Sequence, residues 1–220
     1  MLNLLLITAS ARRERSLSRD LAARFMSGVE KTGLRVQIVE RDLAATPPPL
    51  LSESHIVTFF TPDAQRSDDQ RALLGPSDMF IDELAGADLI VIATPMYNYG
   101  MPASLKAWVD QVVRIGRTFS FDLARGDYPL EPMLAGKTLV VLTASGEFGF
   151  AAGGQNAEKD HLVPHLHTLA PYLGAKTVYH VGVEYQEFGD RRFEASLAAA
   201  QYEATALGQR LARAPCVRSR

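Results

Sequence analysis

The sequence predicts a doubly wound α/β sheet, five parallel strands with helices on both faces. Three observations carry this. Short apolar runs recur along the 220 residues with longer amphipathic stretches between them, so strands alternate with helices. The inner runs are apolar at consecutive positions, as in strands covered on both sides. Five strands, rather than the six of the dinucleotide-binding arrangement, favour the spatial order 2-1-3-4-5.

The elements follow in order. Residues 2–7 (Leu-Asn-Leu-Leu-Leu-Ile) form the first strand, and a helical pattern runs over 18–31. Residues 35–40 alternate like a strand, whereas 88–94 (Asp-Leu-Ile-Val-Ile-Ala-Thr) and 137–143 (Lys-Thr-Leu-Val-Val-Leu-Thr) are continuous runs. The fifth strand, over 177–183, is the weakest. Helical patterns fall at 68–84, 102–115, 156–173 and 192–211, the last stopping before Pro215. The expected organisation is one domain over 1–213 with a tail over 214–220. An inserted loop over 42–67 holds Thr46-Pro47-Pro48-Pro49 and the apolar patch Ile56-Val57-Thr58-Phe59-Phe60. Such a loop is either a surface excursion or a lid or subunit contact.

Composition narrows the function. Lysine plus arginine number 23 against 25 acidic residues, a net charge of −2, which lacks the basic excess that nucleic acid or an anionic membrane surface requires. The single cysteine, Cys216, cannot pair within the chain, which suits a reducing compartment. No run approaches the ~20 apolar residues of a membrane span, and the first residues lack the pattern of a signal peptide. The expected location is the cytoplasm.

In a sheet of this order, ligands bind beyond the carboxyl ends of the strands, where the strand order reverses. Three loops converge there. The first, residues 8–18, carries Ser10, Ser16, Leu17 and Ser18 into a helix. Hydroxyls beside free N–H groups at the positive end of a helix make a phosphate cradle. Capping alone explains Ser16 or Ser18 but not Ser10. The second loop, Pro95-Met96-Tyr97-Asn98-Tyr99, offers aromatic and thioether faces beside an amide, suited to a flat heterocycle. The third, Ala144-Ser145-Gly146-Glu147, allows close backbone approach at its glycine. A phosphate cradle and a planar-ring slot at one switch point indicate flavin mononucleotide (FMN).

Other motifs carry less. Gly136-Lys137-Thr138 resembles the end of a P-loop, but Glu131 occupies the required upstream glycine position and a strand follows. Ser145 lacks the flanking glycines of a nucleophile elbow. His161 and His165 have the spacing of metal ligands, with His167 close by, but no matching acid or cysteine set accompanies them, so no metal is expected. Trp108 sits at core spacing.

Thr94-Pro95-Met96-Tyr97-Asn98-Tyr99, Pro102, Leu105-Lys106 and Trp108-Val109-Asp110 together resemble the flavin-contacting segment of the FMN-dependent NADH azoreductases, which are also NAD(P)H:quinone oxidoreductases of flavodoxin-like fold. Arg41-Asp42-Leu43-Ala44, Gly116-Arg117-Thr118-Phe119 and Leu173-Gly174 extend the resemblance over nearly the whole chain. It implies bound FMN, with Ser10, Ser16 and Ser18 at its phosphate and NADH or NADPH as electron donor. One departure stands out: the family's Thr-Ser-Arg-Gly-Gly reads Thr143-Ala144-Ser145-Gly146-Glu147 here.

The resemblance further implies two-electron, ping-pong reduction of quinones and azo compounds. The cofactor carries the chemistry, so no catalytic side chain is expected. It also implies a homodimer in which the 56–60 segment reaches over the other subunit's flavin, with Phe60, Phe121 and Tyr172 lining the acceptor pocket. Two alternatives remain: a flavodoxin-type electron carrier, and an NADPH-dependent FMN reductase acting on metals or free flavin. The near-neutral charge and the long inserted segment favour an enzyme over a carrier; the sequence hardly separates the two reductases.

Overall fold

Hydrophobic patterning sorts the strands by their place in the sheet. The structure, a computed structural model, describes residues 1–213; Pro215, Cys216 and the expected tail lie outside these residues. The first half of the chain forms β1 (Leu2–Thr8), α1 (Leu17–Glu30), β2 (Val36–Asp42), α2 (Glu53–Phe60), α3 (Asp68–Gly86) and β3 (Leu89–Pro95). There follow α4 (Ala103–Val112), β4 (Phe119–Phe121), β5 (Leu130–Pro132), β6 (Lys137–Ala144), α5 (Val163–Leu169), β7 (Ala175–Val183) and α6 (Arg191–Arg213).

The main sheet is parallel throughout, with order β2-β1-β3-β6-β7. This is the expected 2-1-3-4-5 once β4 and β5, which pair only with each other, are set aside. The continuous runs β1, β3 and β6 occupy the centre, while the alternating strand β2 and the weakest strand, β7, take the edges. Residue pairing levels the strand ends: Thr8 lies beside Ala93, Pro95 beside Ala144, and Ala144 beside Val183. The loops that leave these strands therefore open along one edge.

Each face of the sheet buries its own core. Leu5, Ile7, Ile90, Ile92, Leu139 and Val141 point to α3, α4 and α5, and Trp108 of α4 is fully enclosed among them. Truncating such a residue costs roughly 3–5 kcal/mol. Leu4, Leu6, Val91, Val140 and Leu142 face α1 and α6, meeting Leu21 and Phe25 on one and Ala204 and Leu207 on the other. The two helices approach closely at glycines. A Cβ on Gly28 would lie 2.1 Å from the Thr205 carbonyl oxygen, and one on Gly208 would lie 2.2 Å from that of Phe25.

Three segments depart from the sequence expectation. The inserted 42–67 segment is not simply a loop, because α2 occupies its middle. The Ser52 hydroxyl accepts from the His55 N–H, and the His55 ring reaches back to the Ser52 N–H, a reciprocal cap that starts this helix. Phe59 turns inward, under the buried Arg114 guanidinium at 5.7 Å. Arg114 also donates to Ser77 at 2.7 Å and pairs with Asp78, so it ties α2 to α3. Secondly, the helix expected over 156–173 is confined to Val163–Leu169. The Asp160 carboxylate accepts from the N–H groups of Leu162 and Val163, and Pro164 stands in the first turn. His161 therefore precedes the helix that carries His165 and His167. Among the described residues, no cluster of His, Cys, Asp or Glu is arranged to hold a metal. Thirdly, the β4–β5 hairpin was not foreseen, because three-residue strands leave no periodicity to read.

Candidate active site

At the carboxyl edge of the sheet, the loops after β1, β3, β6 and β7 enclose a cleft. It is lined by Ser10, Arg12, Arg15, Ser16, Leu17, Ser18, Pro95, Met96, Tyr97, Ala144, Gly146, Gln186 and Glu187. Nine of the thirteen residues expected around the cofactor are among them.

The β1 end of the cleft is shaped for an anion. Ser16 caps α1, its hydroxyl accepting from the Arg19 N–H at 3.4 Å. The N–H groups of Leu17 and Ser18 in that first turn have no helical acceptor and point toward the positive end of the helix. Ser10, Ser16 and Ser18 are all buried. Their mutual and backbone contacts are long, 3.3–3.4 Å, so the three hydroxyls keep most of their hydrogen-bonding capacity. Arg12 and Arg15 add positive charge.

Arg19 holds this loop from behind. Its guanidinium donates to the carbonyls of Arg12 (3.2 Å) and Ser10 (2.9 Å), to the Thr8 hydroxyl (3.0 Å) and to the Asp42 carboxylate (2.8 Å). The arginine holds the Asp42 carboxyl below the usual carboxylate range, helped by N–H donors from Ala45 and Ala44.

The β3 loop makes the opposite wall. Met96 donates its N–H to the Ala144 carbonyl at 2.8 Å, joining this wall to β6. Tyr97 and Gly100 then exchange backbone hydrogen bonds of 2.9 and 3.0 Å across Asn98 and Tyr99, whose φ angles are +48° and +65°. Two left-handed residues between paired neighbours form a type I′ turn. Asparagine tolerates this conformation; tyrosine adopts it at a cost. The strain is compensated at Tyr99, whose carbonyl accepts from the His161 N–H at 2.9 Å and whose phenol donates to Glu147 at 2.8 Å.

The β6 loop is zipped to the loop after β7. Ser145 receives the Gln186 N–H, Gly146 the Glu187 N–H and Glu147 the Tyr185 N–H. The Ser145 hydroxyl is spent on this frame, donating to the Glu147 carbonyl at 3.0 Å. Tyr185, itself left-handed at φ +67°, stacks on Phe148 with centroids 4.3 Å apart, and Arg192 lies 5.1 Å above it.

Asn98, Tyr99, Ser145 and Glu147 thus stand beside the cleft rather than in its lining. Phe60, Phe121 and Tyr172 are also outside it: Phe60 is 70% exposed on α2, Phe121 is 49% exposed on the hairpin, and Tyr172 meets Phe119 edge-on. Sequence reasoning missed Arg12, Arg15, Gln186 and Glu187. Both arginines lie in the first loop, where their charge was the available signal. The other two come from a fourth converging loop, which follows from β7 lying beside β6.

A 2-1-3-4-5 sheet with an anion cradle at its switch point defines a flavodoxin-like nucleotide-binding protein. The family model described as flavodoxin-like fold matches residues 2–207. Over 205 residues the chain is 49% identical to an FMN-dependent NADH:quinone oxidoreductase 2 of Colwellia psychrerythraea, covering 90% of this chain and 94% of that one. It is 38% identical over 210 residues to the FMN-dependent NAD(P)H:quinone oxidoreductase 1 of Pseudomonas aeruginosa, covering 95% and 99%. An FMN-dependent NADH-azoreductase from Bacillus anthracis, solved in complex with FMN, shares the fold with a TM-score of 0.84. It is 18% identical, with 96% of this chain and 100% of that one covered. The chain belongs to the flavodoxin-like family of FMN-dependent NADH:quinone oxidoreductases.

Proposed function

We propose that this chain binds one FMN in the cleft and uses it to carry two electrons from NADH or NADPH to quinones, with azo compounds as a second class of acceptor. The observation that carries the reading is the β1 end of the cleft. Three buried hydroxyls with spare hydrogen-bonding capacity, two free helix N–H groups and two arginines match a phosphate monoester and little else. The names of the relatives supply the reaction class.

The chain's own residues bind and orient. Ser10, Ser16, Leu17 and Ser18 take the phosphate, and Arg12 and Arg15 balance its charge. Pro95, Met96 and Tyr97 on one side, and Ala144 and Gly146 on the other, bound a slot for a flat ring. The Asn98 amide, beside this slot, is free to read the ring edge. When bound, FMN supplies a carrier able to accept a hydride from the nicotinamide and give it to an acceptor.

The protein also works as a homodimer in this reading. On α2, Ile56, Val57 and Phe60 are 44%, 55% and 70% exposed, a contiguous apolar face of the kind that marks a contact. A second subunit seated there brings Phe60, with Phe121 and Tyr172, toward an acceptor over the flavin. Among the described residues, no helix is long and apolar enough to cross a membrane. The cytoplasm, which supplies reduced nicotinamide, is the proposed location.

The test begins with colour. Purified protein should absorb near 450 nm (roughly the usual flavin band) with one FMN per chain. NADH alone should bleach that band in stopped flow, and benzoquinone should restore it. Bleaching by a reductase partner but not by NADH would establish a carrier instead. Light scattering should give a dimer, and Phe60→Asp should lower both the dimer fraction and turnover.

A further inference from the structure

The cleft is electrically polarised along its length. Its β1 loop contributes Arg12 and Arg15, while the loop after β7 contributes one carboxylate, Glu187. Glu187 lines the cleft with its side chain directly over Gly146: a Cβ there would lie 2.6 Å from the Glu187 Cγ. Glu147, the next residue along, stands exposed beside the same glycine. Its Oε1 is fixed at 2.8 Å by the Tyr99 phenol, across the gap between the β3 and β6 loops. Among the described residues, neither carboxylate has an ion-pair partner. The Lys159 ammonium lies 6.0 Å above the Tyr99 ring.

Tyr99 donates to a charged acceptor, which also keeps the phenol protonated above its ordinary range. The hydrogen bond has a positional consequence. It holds one negative charge at the entrance to the slot bounded by Met96 and Gly146, instead of leaving it to sample solvent. Glu187 supplies a second charge over Gly146. An incoming molecule must pass between or beside them.

We infer that Glu147, positioned by Tyr99, and Glu187 together set the charge selectivity of the acceptor side, favouring neutral and cationic quinones over sulfonated or carboxylated ones. This inference rests on the quinone-reducing reading of the cleft. An anionic acceptor meets like charge within a few ångströms, where screening by salt is incomplete. A neutral quinone of the same ring size meets none. Phosphate binding is untouched, because the arginines and the helix terminus lie at the other end.

The experiment compares a neutral naphthoquinone with its sulfonated counterpart, using the FMN-loaded protein and Glu147→Gln, Glu187→Gln and doubly substituted variants. The readout is the ratio of the two kcat/KM values, so that any change in flavin loading cancels. The wild-type ratio should favour the neutral quinone and fall as salt is added. Each single substitution should lower it about three- to tenfold at low ionic strength, and the double variant should lose its salt dependence. Tyr99→Phe should shift the ratio in the same direction by less, since Glu147 then keeps its charge but loses its position.

A non-reducible naphthalene sulfonate, titrated by flavin fluorescence or absorbance, gives an independent binding readout. It should bind the double variant several-fold more tightly than wild type. Equal ratios in wild type and double variant at both ionic strengths, with equal sulfonate affinity, would overturn the inference. Absence of neutral-quinone turnover by NADH would overturn the quinone-reducing reading instead, and the sulfonate titration would still decide the charge question.

Discussion

The two ends of the cleft are held in opposite ways. At the β1 end, the loop passes through one left-handed residue, Arg15 at φ +55°, just before the Ser16 cap, and is fastened by one guanidinium that makes four hydrogen bonds. At the β3–β6 end, the walls run through left-handed residues at Asn98, Tyr99 and Tyr185, fastened by many weaker contacts spread over several loops. The first arrangement concentrates its stability in a single side chain; the second distributes it. A group whose charge and shape are fixed suits the first end. A slot that admits a succession of planar partners suits the second, where small readjustments must not unfasten the whole.

Concentration makes the β1 end the more fragile to one substitution. Arg19→Ala removes the bonds to Thr8, Asp42 and the carbonyls of Ser10 and Arg12, and leaves Asp42 without its cation. Hydrogen bonds to charged groups contribute about 1.5–3 kcal/mol each when buried. With partial exposure, the expected outcome is a loss of FMN affinity of about 10- to 100-fold, measured by titrating apoprotein against flavin fluorescence. Arg19 acts by position here, so Arg19→Lys should recover only a fraction, because an ammonium cannot span four acceptors in a plane. Unchanged affinity in Arg19→Ala would remove the contrast between the two ends.

The β3–β6 end responds more weakly, and the two contributions of Asn98 separate. Asn98→Ala removes the side-chain amide and also places a Cβ residue less suited to φ +48°, at about 1 kcal/mol. Asn98→Gly removes the amide while relaxing the backbone. The alanine variant should weaken FMN about five- to thirtyfold and the glycine variant about three- to tenfold, read by the same titration. A glycine variant indistinguishable from wild type would show that asparagine is present for its backbone conformation alone.

These contrasts also explain what was readable in advance. The central strands were legible because burial on both faces demands consecutive apolar residues, as in Leu89 to Ala93. The cradle was legible because a helix start needs a cap and Ser10 exceeded that need. Tyr99 and Tyr185 gave no sign of their left-handed conformations, since no tyrosine chemistry encodes them; they are imposed by contacts such as His161 to Tyr99. The frame that presents Gly146 depends on pairing with residues some forty positions later. Glu184, which receives the N–H groups of Gly149 and Phe150 at 3.1 Å, is likewise silent in a linear reading. Helix α2 was hidden because three consecutive β-branched residues, Ile56, Val57 and Thr58, sit in its eight positions, and its signal was a serine–histidine cap rather than the usual serine–glutamate.

The smallest expected effect distinguishes the ends by pH. Asp42 titrates below its ordinary value because Arg19 binds its charged form, so its folded-state pKa lies under its unfolded one. A depressed carboxyl contributes its stability fully above the unfolded pKa, near 3.8, and loses it as pH falls through the lower folded value. Asp42 is partly exposed, so solvent screening keeps this contribution modest. Between pH 8 and 5, Asp42 keeps its charge, and the fastening of the β1 loop should therefore be flat over that range. As pH falls below about 3.8, the unfolded chain binds a proton at Asp42 that the folded chain does not, and wild type should lose stability faster than Asp42→Asn, which has no charge to lose there. Thermal melts of the two proteins across pH 3 to 8 make the comparison. Parallel curves down to pH 3 would mean that the Arg19–Asp42 contact adds nothing to the β1 end, leaving its fastening to the two carbonyls and Thr8.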